Sequence, residues 1–171
     1  MQECFLPHYN ERQTPVDMLV LHATCHADAH EVFESLDKLE LSCHYFVDLN
    51  GRITRMVDEQ KRAWHAGAGY WQGIDTDLNS HSIGIEIGNL SLGQQDFAEA
   101  QIEKLIPFCR KLIKNTTLTR AASSPILILP PHANRIPAFV FRGNVWRAKA
   151  SVYGISSAMP KKSALTTRPS F

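Results

Sequence analysis

Apolar and polar positions alternate along this chain in blocks whose period changes several times, and each block predicts an element. Val16, Met18, Leu19, Val20 and Leu21 form a short, nearly continuous apolar run that ends on His22, Ala23 and Thr24. Such a run reads as a buried central strand that delivers a histidine at its end. Asp28 and Glu31 have capping-box spacing, and Val32, Phe33 and Leu36 then fall on one helical face. Segments 44–48 and 52–57 flank Asn50-Gly51. That pair favours a type I′ turn, in which both central residues need positive φ, so two antiparallel strands are expected. Ser82-Ile83-Gly84-Ile85-Glu86-Ile87-Gly88 reads as another apolar strand, with a carboxylate embedded in it. Asp96 and Glu99 repeat the capping-box spacing, and Ile102, Leu105, Ile106, Cys109, Leu112 and Ile113 recur at helical spacing. Pro107 should kink or divide that helix.

With 171 residues, 44% of them hydrophobic and 20% charged, the chain has the size of one globular domain with a real core. It contains no run of about 18 apolar residues that could span a bilayer. Its first eight residues lack the basic start and apolar stretch of a secretory signal, so as it begins the chain is expected in the cytoplasm, or in the periplasm if the start is misassigned. The scattered Cys4, Cys25, Cys43 and Cys109 read as reduced thiols. The net charge of +1 hides an asymmetry, because all 17 acidic residues lie at or before Glu103 and the segment 104–171 carries none. The cations of that tail are interleaved with prolines and apolar residues, without the aromatic interleaving or amphipathic period that nucleic acids or membrane surfaces require. Neither partner is expected, nor is a protein partner.

Glu86 is the residue hardest to read as structural. A carboxylate inside an apolar strand is costly unless a cation, a metal or a catalytic water gives it a task. His22, taken alone at the end of a strand, reads more often than not as a core histidine satisfied by a hydrogen bond. Trp64-His65-Ala66-Gly67 combines an indole, an imidazole and two small residues, and reads either as the lining of a groove or as a loop with a buried Trp.

Four segments in order, Val20-Leu21-His22-Ala23-Thr24, Ser42-Cys43-His44-Tyr45-Phe46-Val47, Arg62-Ala63-Trp64-His65-Ala66-Gly67 and Asn79-Ser80-His81-Ser82-Ile83-Gly84-Ile85-Glu86-Ile87, resemble the type 2 N-acetylmuramoyl-L-alanine amidases, relatives of the peptidoglycan recognition proteins. The resemblance covers roughly residues 8–114. It implies an α/β fold, a mixed central β-sheet flanked by helices. It further implies a hydrolase that cleaves the amide between N-acetylmuramic acid and L-alanine in peptidoglycan or muropeptides, with a zinc ion (Zn2+) as cofactor. His22 matches the first zinc ligand and Glu86 the base that acts on the zinc-bound water. Trp64, His65 and Ala66 match the muropeptide groove, as do His44 and Asn79. Cytoplasmic placement favours released fragments in cell-wall recycling.

The family's remaining motif, H-S-D-I-A-P-x-R-K-x-D-P-G, supplies the second histidine, a lysine and the aspartate ligand, and it is absent from this chain. His132 is the one histidine of the tail and no aspartate follows it, so it is a poor substitute ligand. Codons compatible with Pro125 through Ala138, read one register over, spell the missing motif; the last base of the Pro125 codon joined to the AT of Ile126 gives CAT, histidine. The same shift makes Phe139 to Ala150 compatible with F-P-W-x-R-L-A. Translation is therefore expected to leave the ancestral frame between about Lys114 and Ser124, giving an amidase domain over 1–119 and an aberrant, poorly ordered tail over 120–171. Two outcomes stay open: an amidase, or a frame-shifted chain that is a catalytically dead remnant or a weak muropeptide-binding module.

Overall fold

Seven consecutive residues carrying His22 and seven carrying Glu86 form the two central strands, each buried along its whole length. The computed structural model describes residues 1–66, 77–92 and 95–115, with the backbone of 126–129 and 139–141. In chain order its elements are β1 (Gln2–Glu3), β2 (Tyr9–Glu11), β3 (Met18–Thr24), α1 (Ala29–Lys38), β4 (Tyr45–Val47), β5 (Ile53–Arg55), β6 (Lys61–Ala63), α2 (Leu78–His81), β7 (Ser82–Gly88), α3 (Glu99–Asn115), β8 (Ile126–Leu129) and β9 (Phe139–Phe141). The main sheet runs β1-β5-β4-β7-β3-β8-β9, and β2 pairs with β6 in a separate ribbon. β4, β7, β3 and β8 are mutually parallel, whereas β5 runs antiparallel to β4 and parallel to β1, and β9 runs antiparallel to β8. This is the mixed sheet with flanking helices that the resemblance implies.

Side chains alternate across the strands, and the alternation divides the molecule into two layers. Leu19, Leu21, Tyr45, Val47, Ile83, Ile85 and Ile87 pack with Leu105, Cys109 and Leu112 of α3. On the other side, Phe46 joins Val32 of α1, Leu6, Met56 and Val57, while Met18 and Val20 meet Ala66 and Leu78. His22, Gly84, Glu86 and His44 alternate out of the α3 layer, so the candidate chemistry lies on the face opposite the long helix.

Several local expectations hold and several are corrected. Asp28 caps α1 by accepting from His30 and Glu31, and Glu31 accepts in return from the amide of Ala27. The hairpin at Asn50-Gly51 forms, but only Gly51 has positive φ, at 78°. Its amide donates to the Asp48 carbonyl, and Asp48 Oδ1 accepts from the amides of Asn50 and Arg52, so a glycine after a carboxylate-braced turn replaces the type I′ geometry. α3 starts at Glu99 with Gln101 Oε1 accepting from the amide of Ala98, which takes the place of the expected Asp96–Glu99 box. Pro107 lies within α3, on its exposed side, without dividing it.

β8 and β9 lie in the segment that the sequence assigns to the tail. Ile126-Leu127-Ile128-Leu129 is an unbroken apolar run between two prolines, and it forms a parallel strand against Leu19 to His22 of β3. The rest of 120–171, His132 included, lies outside the described residues.

Candidate active site

β3 and β7 pair in parallel with His22 opposite Glu86, and β4 places Phe46 on the far side of the same carboxylate. His22 is 4% exposed and Glu86 9%, so both sit at the floor of the site. Burial pushes the Glu86 carboxyl up to about 8, which keeps it protonated at neutral pH. The same cause lowers His22 to about 4 and His44 to about 3, and both rings are neutral.

Three imidazoles stack edge to face, His22 on His65 with centroids 5.2 Å apart and His44 on His65 at 5.6 Å. The middle ring lies against Gly84, where a Cβ would come within 2.3 Å of His65 Cγ. A glycine inside the strand is what lets that ring approach the sheet. His65 stays well below the usual histidine range, first through burial and then through the neighbouring His22, His44, Arg12 and Arg62.

His44 is fully buried and does not line a groove as the resemblance implied. Its Nδ1 accepts from the Gly84 amide at 2.9 Å, so its proton is on Nε2, which donates to the Lys61 carbonyl at 3.0 Å. Both ring nitrogens serve to join β4, β7 and β6. Ala66 is also corrected: its side chain is buried with Met18, Val20 and Leu78. Asn79 acts through Oδ1, which accepts from the amides of His65 at 3.0 Å and Ala66 at 2.8 Å and fixes that loop. Trp64 remains half-exposed; its Nε1 donates to Asn10 Oδ1 and its ring lies 6.2 Å from that of His8. Of the five groove residues expected, Trp64 and His65 are partly exposed, and both ring nitrogens of His65 are in hydrogen-bonding contact with His22 and Ser82.

Arg12 is the residue that sequence reading missed. Its guanidinium reaches the carbonyls of Asn79, Ser80, Ser82, Glu59 and Lys61, and burial first of all lowers its pKa to about 10. It thereby ties the start of β7 and the turn before β6 to one point behind His44. Nothing in the polar stretch Tyr9-Asn10-Glu11-Arg12-Gln13-Thr14 marks it out, because the carbonyls it reaches lie 47 to 70 residues away. Gly84, between Ile83 and Ile85, was the signal for the seat of His65.

Zinc is tested by the donors present. Among the described residues no group of three or more His, Cys, Asp or Glu side chains could hold a metal ion. His22 fits one ligand position, and the described residues alone do not make up the set of three that a catalytic zinc usually takes.

The fold is an α/β domain in which neutral imidazoles and a protonated carboxyl lie toward the carboxyl ends of parallel central strands. The family model described as N-acetylmuramoyl-L-alanine amidase matches residues 12–144. The chain belongs to that family. The match runs past residue 119, where the sequence places the end of the amidase domain. N-acetylmuramoyl-L-alanine amidase AmiD of Escherichia coli K12 is 39% identical over 57% of this chain and 40% of AmiD. The 1,6-anhydro-N-acetylmuramyl-L-alanine amidase AmpD of the same organism is 32% identical over 63% of this chain and 68% of AmpD. Among solved structures, a selenomethionine AmpD derivative superposes with a TM-score of 0.57 at 26% identity, covering 68% of this chain and 75% of that one. AmiD from E. coli, in complex with anhydro-N-acetylmuramic acid-L-Ala-D-gamma-Glu-L-Lys, gives 0.57 at 30% identity, covering 66% of this chain and 48% of that one. The chain thus spans well under two thirds of AmiD.

Proposed function

We propose that this chain is built to hydrolyse the amide between N-acetylmuramic acid and L-alanine in muropeptides, with His22 and Glu86 as its reaction centre. The observation that carries this reading is the register of β3 and β7, which sets a buried neutral imidazole beside a buried carboxyl at one level of the sheet. Amide hydrolysis needs a proton taken from water and a proton delivered to the leaving nitrogen. One carboxyl can make both transfers in turn, taking the proton of water as the carboxylate and delivering it to the nitrogen as the acid, and Glu86 starts that cycle from its ionised fraction. Substrates with an anhydro-muramyl sugar fit the reading best, since AmpD is a 1,6-anhydro-muramyl amidase by name and AmiD is solved with such a ligand.

The resemblance implies zinc at His22, and the further ligands would have to come from outside the described residues. The motif that encodes them is compatible with the shifted frame of 125–138, which supports a second reading: a remnant that keeps the groove without the metal. Peptide release from an anhydro-muramyl tripeptide, together with the zinc content of the purified chain, separates the two. Release with about one zinc per chain supports the amidase. Muropeptide binding with neither zinc nor release supports the remnant. Reading the gene between the codons of Lys114 and Ser124 tests the frame, and the idea is sunk if no alternative frame encodes the motif.

A further inference from the structure

Lys104, Phe108 and Lys111 follow one another at spacings of four and three residues, which puts them on one face of α3. Both lysines are exposed, and Phe108 is half-buried with its ring edge-on to Tyr45, centroids 4.7 Å apart. The β4–β5 hairpin lies across this face: a Cβ on Gly51 would come within 3.1 Å of Lys104 Cγ. Between hairpin and helix, an open groove of about 680 Å³ is lined by Gly51, Arg52, Ile53, Lys104, Phe108 and Lys111, beside the start of β1. Its floor is apolar and its walls are cationic.

Little within the chain offsets those charges. No acidic residue stands three or four positions from Lys104 or Lys111 along the helix, and among the described residues no carboxylate pairs with either. Arg52 has Asp48 as its acidic neighbour, 3.9 Å from its Nε, while Glu3 of the adjoining β1 is 3.5 Å from Arg55. The segment 104–171 has no acidic residue, so that tail cannot supply the counter-charge.

We propose that this groove binds an acidic segment of a partner polypeptide in extended form, with an apolar side chain on Ile53 and Phe108 and a carboxylate to either side of it. Lys104 and Lys111 stand about 10 Å apart along the helix axis. In an extended chain, residues i, i+2 and i+4 face one way and span about 13 Å, a difference that the flexible lysine stems take up. A concave site with an apolar floor suits such a segment better than a membrane, whose headgroups would meet the lysines and leave Ile53 and Phe108 untouched. The cations of α3 alone pointed to no partner in the sequence; the hairpin laid against them is what makes a site. Ile53 packs with the α3 layer, away from the face of His22 and Glu86, so the inference stands whether or not the proposed amidase activity is found.

The probe is a fluorescein-labelled peptide of the order Glu-Ser-Leu-Ser-Glu, titrated with the full-length chain at low salt and followed by anisotropy, beside the same peptide with Gln in place of both Glu. The expected result is saturable binding of the acidic peptide that weakens as salt is added, and that is weaker by about tenfold or more both for the Gln peptide and for the double variant Lys104→Gln, Lys111→Gln. In 15N spectra of the unaltered chain, the amides of Gly51, Arg52, Ile53 and Phe108 should shift during the titration, which locates the site without any variant. Absence of saturable binding, binding that the folded double variant leaves unchanged, or shifts confined to other amides would overturn the proposal. So would citrate or phosphatidylglycerol vesicles that shift the same amides and displace the peptide as readily as unlabelled peptide does, the first meaning a site for free anions and the second a patch that meets membranes.

Discussion

Glu86 carries an ordinary carboxyl pKa near 4.5 in the unfolded chain and one of about 8 in the fold, because burial removes the water that would stabilise its charge. Between those values the native state binds the extra proton, so this residue's contribution to stability falls as pH rises from about 4.5 to about 8. His22 acts in the opposite sense. Its folded pKa of about 4 lies below the ordinary 6.5, and its contribution is lost as pH falls through that window. Glu86→Gln should therefore stabilise the metal-free chain at pH 8, by on the order of 3 kcal/mol, with the gain shrinking toward zero near pH 4.5. Urea unfolding at both pH values checks this; an equal effect at both would mean that the carboxyl is not desolvated. Arg12→Ala should cost about 3 kcal/mol by leaving buried carbonyls without a donor, and Arg12→Lys should recover only part of it, because one ammonium cannot span the same acceptors. Thermal melts of the two variants compare them. At this scale the sequence disclosed Glu86 and His22, since a charge in an apolar strand and a histidine after one are visible as pattern. The roles of His44, Asn79 and Arg12 were hidden because their partners are backbone atoms supplied by distant segments.

At the scale of elements, β3, β7, α1 and the β4–β5 hairpin were legible because each has an apolar period and a capping or turn signal of its own. β1, β2, β6 and α2 were not. They span two to four residues each, and polar strands such as Tyr9–Glu11 owe their existence to a partner strand and not to local pattern. Two contacts hold the elements around the site. Gly51 has φ 78°, and a Cβ there would come within 2.2 Å of the Ala100 carbonyl oxygen, so the turn and the start of α3 fit together only with glycine. Gly51→Ala should destabilise by about 2 kcal/mol or more, read as a lower denaturation midpoint with an unchanged urea slope. Gln101 Nε2 donates to the Gly88 carbonyl at 2.7 Å while its Oε1 caps the helix, tying α3 to the end of the strand that bears Glu86. Gln101→Leu should cost about 1 to 3 kcal/mol, because the buried Gly88 carbonyl and the Ala98 amide lose their partners; a melt indistinguishable from that of the unaltered chain would show that neither bond matters.

For the whole molecule, the mixed sheet and its two layers follow from alternation along β3 and β7, and family membership agrees with the resemblance carried by four short motifs. What the sequence could not convey is how few of the expected groove residues face outward: His44 and Ala66 are buried in the fold, and His65 contacts His22. The account rests on His22 and Glu86 as a reaction centre, so its most direct test is peptide release from an anhydro-muramyl tripeptide by the zinc-incubated chain beside its Glu86→Ala variant. The account predicts release that the variant loses by about 100-fold or more, as expected for removal of a general acid–base. No release by the unaltered chain, or release that Glu86→Ala leaves intact, would contradict it.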